Sequence, residues 1–200
     1  MSLGQNKTDI CFVTRNENKL KEITKLAPPQ LGVYSLKKLN FDEDIEETGA
    51  TIAENSAIKA SFIHHRFNIP CFADDTGLEV FALNGEPGVY SARYAGDESN
   101  SDANMDLLLK NMSSLANRNA RFLTVISYID QNGNQYQFEG IAEGEILTEK
   151  QGTRGFGYDP IFLPHGYEKT FAEISMEEKN KISHRAKAFN KFFSFLSSRL

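Results

Sequence analysis

Short apolar segments alternate with segments of helical periodicity through the first part of the chain, and this alternation constrains the fold most. The candidate strands are residues 9–14, 32–36 and 69–74. The candidate helices between them are residues 15–26 and 51–67. Later, two alternating segments flank the sequence QNGN at 131–134, which is typical of a β-hairpin. The order predicts an α/β fold, a mixed β-sheet with flanking helices, in a single domain over residues 1–200.

Two more helices are expected further along the chain, one beginning near Ser101 and one over about 177–198. The last helix has an apolar stripe formed by Ile182, Ala186, Phe189, Phe193 and Leu196. In the helix at 51–67, the residues expected to line the buried side are Ile52, Ile58 and Phe62.

Composition excludes several classes of protein. The net charge of −5 argues against a general nucleic-acid binder. No apolar run approaches the ~20 residues that a membrane helix needs. The polar first nine residues contain no apolar leader, so we expect a cytoplasmic protein. Cys11 and Cys71 lie in apolar segments, which favours buried free thiols over a disulfide.

Charge is unevenly distributed along the chain. Residues 42–54 contain six acidic residues and no base, whereas the chain from Lys179 to its end contains six bases and no acid. One pole can therefore hold a metal ion and the other an anion. The alternative is two solvated surfaces of opposite sign.

The segment TRNENK joins the first strand to the first helix. A helix N-terminus offers free N–H groups to a phosphate, and Thr14, Asn16 and Lys19 add a hydroxyl, an amide and an ammonium. The segment is neither a P-loop nor a dinucleotide-binding fingerprint, since the glycines of both patterns are absent. The alternative is a plain helix cap with a surface lysine.

Asp74 and Asp75 stand side by side in the apolar run FADDTGLEV, at the predicted end of the third strand. Adjacent carboxylates repel, so they need a cation or a shared proton. Ligands bind at the carboxyl ends of strands in α/β sheets, and Mg²⁺ prefers oxygen ligands. The alternative is a solvated turn at residues 75–77. A single DTG copy makes an aspartic protease a poor interpretation, because such an enzyme would require dimerisation.

The segment GTRGFGYDP combines glycines that permit close approach to a ligand with two flat rings, Phe156 and Tyr158. Stacking of a base on such a ring is worth ~1–3 kcal/mol. Asp159 can accept a hydrogen bond from a base edge, and the alternative is a tight turn with aromatic packing. In EKNKISHRAK, Lys179 and Arg185 supply a point charge and a fork of donors, unless they form a solvated basic face.

These features together fit a nucleoside triphosphate with Mg²⁺. The chain resembles the inosine/xanthosine triphosphate pyrophosphatase family, also called Ham1-like, in five segments that follow the family's order from about residue 10 to 190. They are FVTRNENKLKEI, EETGATIAENSAIKA, ADDTGLEVFALNGEPGVYSARYAG, GFGYDPIFLPHGYEKTFAEI and EEKNKISHRAKA. The resemblance implies Mg²⁺-dependent hydrolysis of the purine nucleotides ITP, dITP and XTP to the monophosphate and pyrophosphate. It also implies a homodimer of elongated α/β domains, each with two lobes around a central nucleotide cleft.

The resemblance also implies roles for individual residues. Those expected to bind the phosphates are Thr14, Asn16, Lys19 and Lys59. Those expected at the metal are Glu46 and Asp75, supported by Asp74. Asp75 is also the expected general base, and Thr76 is expected to touch the substrate. Those expected to hold the purine base of the substrate are Phe156, Gly157, Tyr158, Asp159, Lys179, His184 and Arg185.

Three positions depart from the family's usual pattern. Arg15 stands where a small residue is frequent, and it either adds a phosphate contact, as a further substrate-binding residue, or points outward. Arg154 stands where the family often has glycine, and Thr76 replaces a frequent serine but keeps the hydroxyl.

Two other functions remain open from the sequence. One is a Maf-type enzyme that removes pyrophosphate from pyrimidine or modified nucleotides, against which the GFGYDP and SHR segments argue. The other is a catalytically silent nucleotide-binding module, against which the complete acidic set argues. The segment YSARYAG at 90–96 serves either the cleft or a subunit interface.

Overall fold

The computed structural model describes residues 8–96 and 100–199. The polar segment 1–7, on which the expected lack of a leader rests, lies outside the described residues. The helices are α1 (Glu17–Leu26), α2 (Ile52–Phe67), α3 (Ser101–Asn111), α4 (Met176–Ile182) and α5 (His184–Ser197). The strands are β1 (Thr8–Phe12), β2 (Leu31–Ser35), β3 (Cys71–Val80), β4 (Asn119–Ile129), β5 (Gln135–Ile146) and β6 (Phe162–Pro164).

The strands form a six-stranded sheet in the order β2-β1-β3-β4-β5-β6. Strand β1 pairs in parallel with both β2 and β3, whereas β5 and β6 are antiparallel. The sheet is therefore mixed, which confirms the predicted α/β class. The 131–134 segment connects β4 to β5 as expected for the hairpin, and Asp130 accepts hydrogen bonds from the amides of Asn132 and Asn134, both at 2.9 Å.

The chain divides into two compact units. The first comprises Met1–Asp75, Val125–Glu139 and Ala188–Leu200, and the second comprises Thr76–Thr124 and Gly140–Lys187. Strands β3, β4 and β5 contribute residues to both units.

The core of the first unit is rich in phenylalanine. Phe12 and Phe72 stack at 4.6 Å between ring centroids, and Phe189 of α5 meets both rings edge-on. A second cluster of this unit includes Cys11 and Cys71, which are buried free cysteines, as predicted.

The core of the second unit packs α3 against its strands. Leu78, Met105, Leu108 and Phe162 belong to one buried cluster. Because the units have separate cores, each positions its own candidate site residues.

Two helix predictions need correction. The predicted last helix is divided at Ser183, whose ψ of 150° is extended, so α4 ends there and α5 begins at His184. The Ser183 hydroxyl caps the second helix by accepting from the Ala186 amide at 3.2 Å. In α2 the buried residues are Ile52, Asn55, Ser56, Ala60 and Ile63. Phe62 is 41% exposed, so its predicted place on the buried side is wrong.

None of the helices in the described ranges has the length and apolar character needed to cross a membrane.

Candidate active site

Asp74 and Asp75 lie within β3 rather than at its end. The strand continues to Val80, so the alternative of a solvated turn at residues 75–77 is also wrong. Asp74 is 3% exposed. A strand can carry two adjacent carboxylates through a core only if cations meet them, because an unpaired buried charge is very costly.

Lys19 of α1 meets the first carboxylate. Its Nζ lies 3.0 Å from both Oδ1 and Oδ2 of Asp74. The start of α1 fixes this lysine, because the Asn16 side chain accepts from the Lys19 amide at 3.1 Å and thus caps the helix. The Thr14 hydroxyl accepts from the Asn16 amide at 3.1 Å. Thr14, Asn16 and Lys19 are therefore one connected group.

Lys59 of α2 meets the second carboxylate. Its Nζ lies 3.0 Å from Asp75 Oδ1 and 2.9 Å from Glu47 Oε1. The helix begins with a capping box between Thr51 and Glu54, as the sequence pattern indicates, and this places Lys59 two turns along the helix.

The environment of this pair shifts both pKa values. Burial is the largest influence on Asp75 and raises the pKa of its carboxyl, with Lys59 opposing and Glu47 reinforcing the shift. Burial would lower the pKa of Lys59, but the carboxylates of Asp75 and Glu47 outweigh it and raise that pKa. Lys59 is therefore a firmly charged ammonium between two carboxylates.

A cavity of about 260 Å³ opens beside Lys59 and Glu47, and Asp75 is not one of its lining residues. The charged side chains among its lining residues are Arg15, Lys19, Glu43, Asp44, Glu47, Lys59 and Asp74. Thr14 also lines it, so the capped loop before α1 and the acidic segment share one cavity.

The structure places Glu47, not Glu46, beside Lys59 and Asp75. Glu46 is exposed. Across the described residues, no group of three or more His, Cys, Asp or Glu side chains is arranged to hold a metal ion. The sequence pattern does not separate these two adjacent acids of EETG, and the role of Glu46 at the metal stays a prediction.

Arg15 reaches the acidic segment. Its Nη1 donates to the Asp42 carbonyl oxygen at 2.9 Å, and its Nη2 contacts the Asp44 carboxylate. The sequence left two alternatives for this side chain, a phosphate contact or an outward position. The structure shows it bonded to the acidic segment, and the phosphate contact stays a prediction.

In the second unit, Asp159 organises the glycine-rich loop. Its Oδ2 accepts from the Phe156 amide at 2.9 Å and pairs with the Lys179 ammonium. Both residues are buried. Gly155 has a φ of +75°, and a Cβ there would lie 2.0 Å from Asp159 Oδ2. A side chain at position 155 would therefore displace the carboxylate.

The Phe156 ring is 58% exposed and has two cations near it. Lys179 Nζ lies 4.9 Å and Arg185 Cζ 5.3 Å from its centroid. The neighbouring Gly157 has a φ of +63°, which favours glycine. Tyr158 is buried instead, and its hydroxyl donates to the Ser91 carbonyl oxygen at 2.9 Å.

His184 lies at the start of α5 and stacks on Phe122, with centroids 4.6 Å apart and planes at 15°. Its Nδ1 is buried and makes no hydrogen bond within the described structure. Burial, followed by the charges of Arg185, Lys179 and Lys187, lowers the pKa of His184 well below its usual value. The imidazole is therefore neutral near pH 7.

Thr76 begins the second unit's part of β3. Its hydroxyl shares a hydrogen bond of 2.8 Å with the Thr124 hydroxyl on β4. The structure thus gathers the predicted phosphate and carboxylate residues in the first unit, with Glu46 exposed. In the second unit it gathers Phe156, Asp159, Lys179 and Arg185 around one loop.

Comparisons with known proteins identify the family. The Ham1 family model matches residues 10–195. A dITP/XTP pyrophosphatase of Christiangramia forsetii is 55% identical over 188 residues, covering 94% of this chain and 98% of that protein. A protein of the same name from Flavobacterium johnsoniae is 50% identical over 189 residues, covering 94% and 98%.

Solved structures give the same result. The Staphylococcus aureus Ham1 protein has a TM-score of 0.92 and 41% identity, covering 96% of this chain and all (100%) of that one. A HAM1 protein from Coxiella burnetii has a TM-score of 0.90 and 35% identity, covering 95% and 98%. With nearly the whole chain matched in sequence and in fold, the protein belongs to the Ham1 family.

Proposed function

We propose that this protein hydrolyses the non-standard purine nucleoside triphosphates ITP, dITP and XTP to the monophosphate and pyrophosphate. Curated relatives at 42–55% identity are named dITP/XTP pyrophosphatase. The structural observation that carries the proposal is the Lys59 ammonium between Glu47 and Asp75, beside the Lys19–Asp74 pair. Such alternating charge suits a ligand that brings both a polyanion and a cation.

We also propose Mg²⁺ as the cofactor. The oxygen donors fit, because the fold brings carboxylates from two distant segments to one cationic group, the Lys59 ammonium. Mg²⁺ is commonly bound by one or two carboxylates together with substrate phosphates and waters, so the lack of a three-carboxylate cluster in the described part of the chain is compatible with it. Asp75 is one proposed ligand, Asp74 supports it, and Glu46, from the family pattern, or Glu47, from the geometry, is the other.

The phosphates are assigned to the first unit. The Lys19 and Lys59 ammonium groups and the Thr14 and Asn16 side chains would bind the triphosphate oxygens. Bound Mg²⁺ would neutralise phosphate charge and polarise the α-phosphoryl group. Positioning and electrostatic stabilisation supply most of the catalysis in phosphoryl transfer.

Asp75 is proposed as the general base. It accepts a proton from a water molecule whose oxygen forms the new bond to the α-phosphorus, while the bond from that phosphorus to the bridging oxygen breaks and pyrophosphate leaves. Burial, which raises the pKa of Asp75, makes the carboxylate a stronger base.

Binding of the purine base of the nucleotide is assigned to the second unit. The exposed face of Phe156 offers a stacking surface, and the Asp159–Lys179 pair holds the loop that carries it. Arg185 donates hydrogen bonds only, so it favours the 6-keto oxygen of hypoxanthine or xanthine over the amino group of adenine. Tyr158 and Asp159 are used by the protein's own packing, so we assign them to shaping the loop. His184 would shape the pocket as a neutral ring, and Thr76 remains a proposed substrate contact.

A nucleotide panel with Mg²⁺ tests the proposal by separating pyrophosphate release from orthophosphate release. We expect pyrophosphate from ITP, dITP and XTP, and much slower turnover of ATP. Preferred release from dUTP, UTP or dTTP would support a Maf-type enzyme instead, and ITP binding without pyrophosphate would support a silent module. Loss of the ITP-to-ATP preference in Arg185→Ala would locate base selection at Arg185, whereas an unchanged ratio would place it elsewhere.

Glu46→Gln and Glu47→Gln form a matched pair for the metal. The variant that raises the Mg²⁺ concentration needed for half-maximal rate identifies the ligand, and no change in either would reject both assignments.

We further propose a homodimer in the cytoplasm, which the resemblance and composition support. Light scattering on the purified protein would test the dimer.

A further inference from the structure

The acidic segment that carries Glu46 and Glu47 is anchored at both of its ends. At the start, Phe41 is buried at 6% exposure. At the end, the buried Asn55 accepts from the Gly49 amide at 2.8 Å, and Glu54 accepts from the Ala50 amide at 2.7 Å. Between these anchors, residues 42–48 have no helix or strand to hold them.

Within this stretch Ile45 packs against the cluster of Cys11 and Cys71, Glu47 pairs with Lys59, and Arg15 supplies the polar contacts at its beginning. It bonds the Asp42 carbonyl oxygen with one terminal nitrogen and the Asp44 carboxylate with the other. Both terminal nitrogens of the guanidinium are thereby directed at the acidic segment. Arg15 directly precedes Asn16, the cap of α1, so it connects the proposed phosphate-binding loop to the segment that carries the proposed metal carboxylates.

We propose that Arg15 is a positioning residue that holds the acidic segment, through Asp42 and Asp44, in the conformation that presents Glu47 to Lys59 and Asp75. Arg15 acts through Asp44 and is not itself a phosphate ligand. This inference rests on the proposed function for its kinetic consequences. The structural part of the inference, which is the order of residues 42–48, can be measured without substrate or metal.

Hydrogen–deuterium exchange on the metal-free protein gives the first test. We expect peptides covering residues 42–50, in which the Gly49 and Ala50 amides are hydrogen-bonded, to exchange faster in Arg15→Ala and in Asp44→Asn, by roughly two- to fivefold, the range set by an exposed ion pair. The double variant should exchange no faster than either single variant. Lys38→Ala is the matched control, because it removes another exposed pair, with Asp9 at 2.9 Å, and should leave the acidic segment unchanged.

Steady-state kinetics give the second test. Both single variants should raise the Mg²⁺ concentration for half-maximal rate roughly two- to fivefold, while the KM for ITP at saturating Mg²⁺ stays within about twofold. Arg15→Lys should recover only part of the effect, because an ammonium cannot bond two groups in the fork geometry of a guanidinium.

Two results would overturn the inference. One is an Asp44→Asn variant that behaves as wild type while Arg15→Ala raises the KM for ITP, which would make Arg15 a phosphate ligand. The other is unchanged exchange of residues 42–50 in both variants. If the wild-type protein releases no pyrophosphate at all, the proposed function fails, whereas the exchange result still decides the role of Arg15.

Discussion

The two units hold their charged side chains in different ways. In the first, the Lys59 and Asp75 side chains are each 14% exposed and that of Glu47 is 29% exposed, whereas Lys19, at 30%, pairs with an Asp74 side chain that is only 2% exposed. In the second, the Lys179 and Asp159 side chains are 8% and 3% exposed. Ion pairs that water reaches can exchange partners with a charged ligand, whereas a buried pair is costly to separate. The comparison indicates that the Lys59 pairs of the first unit can change their ionic contacts, whereas the Lys179–Asp159 pair of the second unit keeps a fixed geometry.

The strongest test of this contrast is Asp159→Ala, which leaves the buried Lys179 ammonium without its carboxylate. We expect the free energy of unfolding to fall by about 3–5 kcal/mol. Urea denaturation would measure it, with Lys38→Ala, from an exposed pair, expected to change by less than about 1 kcal/mol. A loss below about 1 kcal/mol for Asp159→Ala would remove the distinction between the units.

Asp75→Asn tests the other side of the contrast. The amide keeps the shape of the carboxylate but accepts protons poorly, so kcat for ITP should fall by about 100-fold or more. Asp102→Asn, which alters a carboxylate that is 79% exposed, should leave kcat unchanged. Near-normal turnover in Asp75→Asn would exclude Asp75 as the base.

Phe156→Ala examines the exposed surface of the second unit. Because stacking is worth about 1–3 kcal/mol per base, the KM for ITP should rise about 5- to 150-fold. The ring is 58% exposed, so the free energy of unfolding should change little. Tyr167→Ala, another exposed aromatic position, serves as the control, and an unchanged KM in Phe156→Ala would reject the stacking role.

The smallest expected effect concerns pH and the buried His184. Its lowered pKa means that, below the unfolded value of about 6.5, the unfolded chain binds a proton that the folded chain does not. Stability should therefore fall as pH drops, by about 1.2 kcal/mol between pH 7 and 5.5 from this group. Urea unfolding at both pH values measures this decrease in the free energy of unfolding. The decrease should be smaller by about 1.2 kcal/mol in His184→Phe and unchanged in His65→Gln. An identical pH dependence in wild type and His184→Phe would contradict the assignment.

Much of the fold follows from local signals in the sequence. The Thr51–Glu54 capping box, the QNGN hairpin and the alternation of strands and helices all rest on neighbouring residues. The same holds for the cluster of Thr14, Asn16 and Lys19, which one loop brings together. Local patterns predict such features because their energetics act over a few residues.

The errors arise where distant residues decide. The adjacent acids Asp74 and Asp75 predicted the end of a strand. The sequence does not show that Lys19 and Lys59 pair with them within the strand. The sequence also leaves open which of Glu46 and Glu47 lies beside Lys59, because that contact joins the acidic segment to the middle of α2. The division of the last helix did have a local signal, since Ser183 is a favourable cap residue, but the continuous apolar stripe obscured it.

The two cysteines have a practical consequence. Cys11 and Cys71 are fully buried, and burial raises the pKa of each thiol to about 12. Since the thiolate is the reactive form, alkylating reagents at neutral pH should not react with these two thiols in the native protein. A single cysteine introduced at the exposed Glu43 would then be the selective attachment point for a fluorophore, giving an optical reporter of the acidic segment without removing any natural thiol.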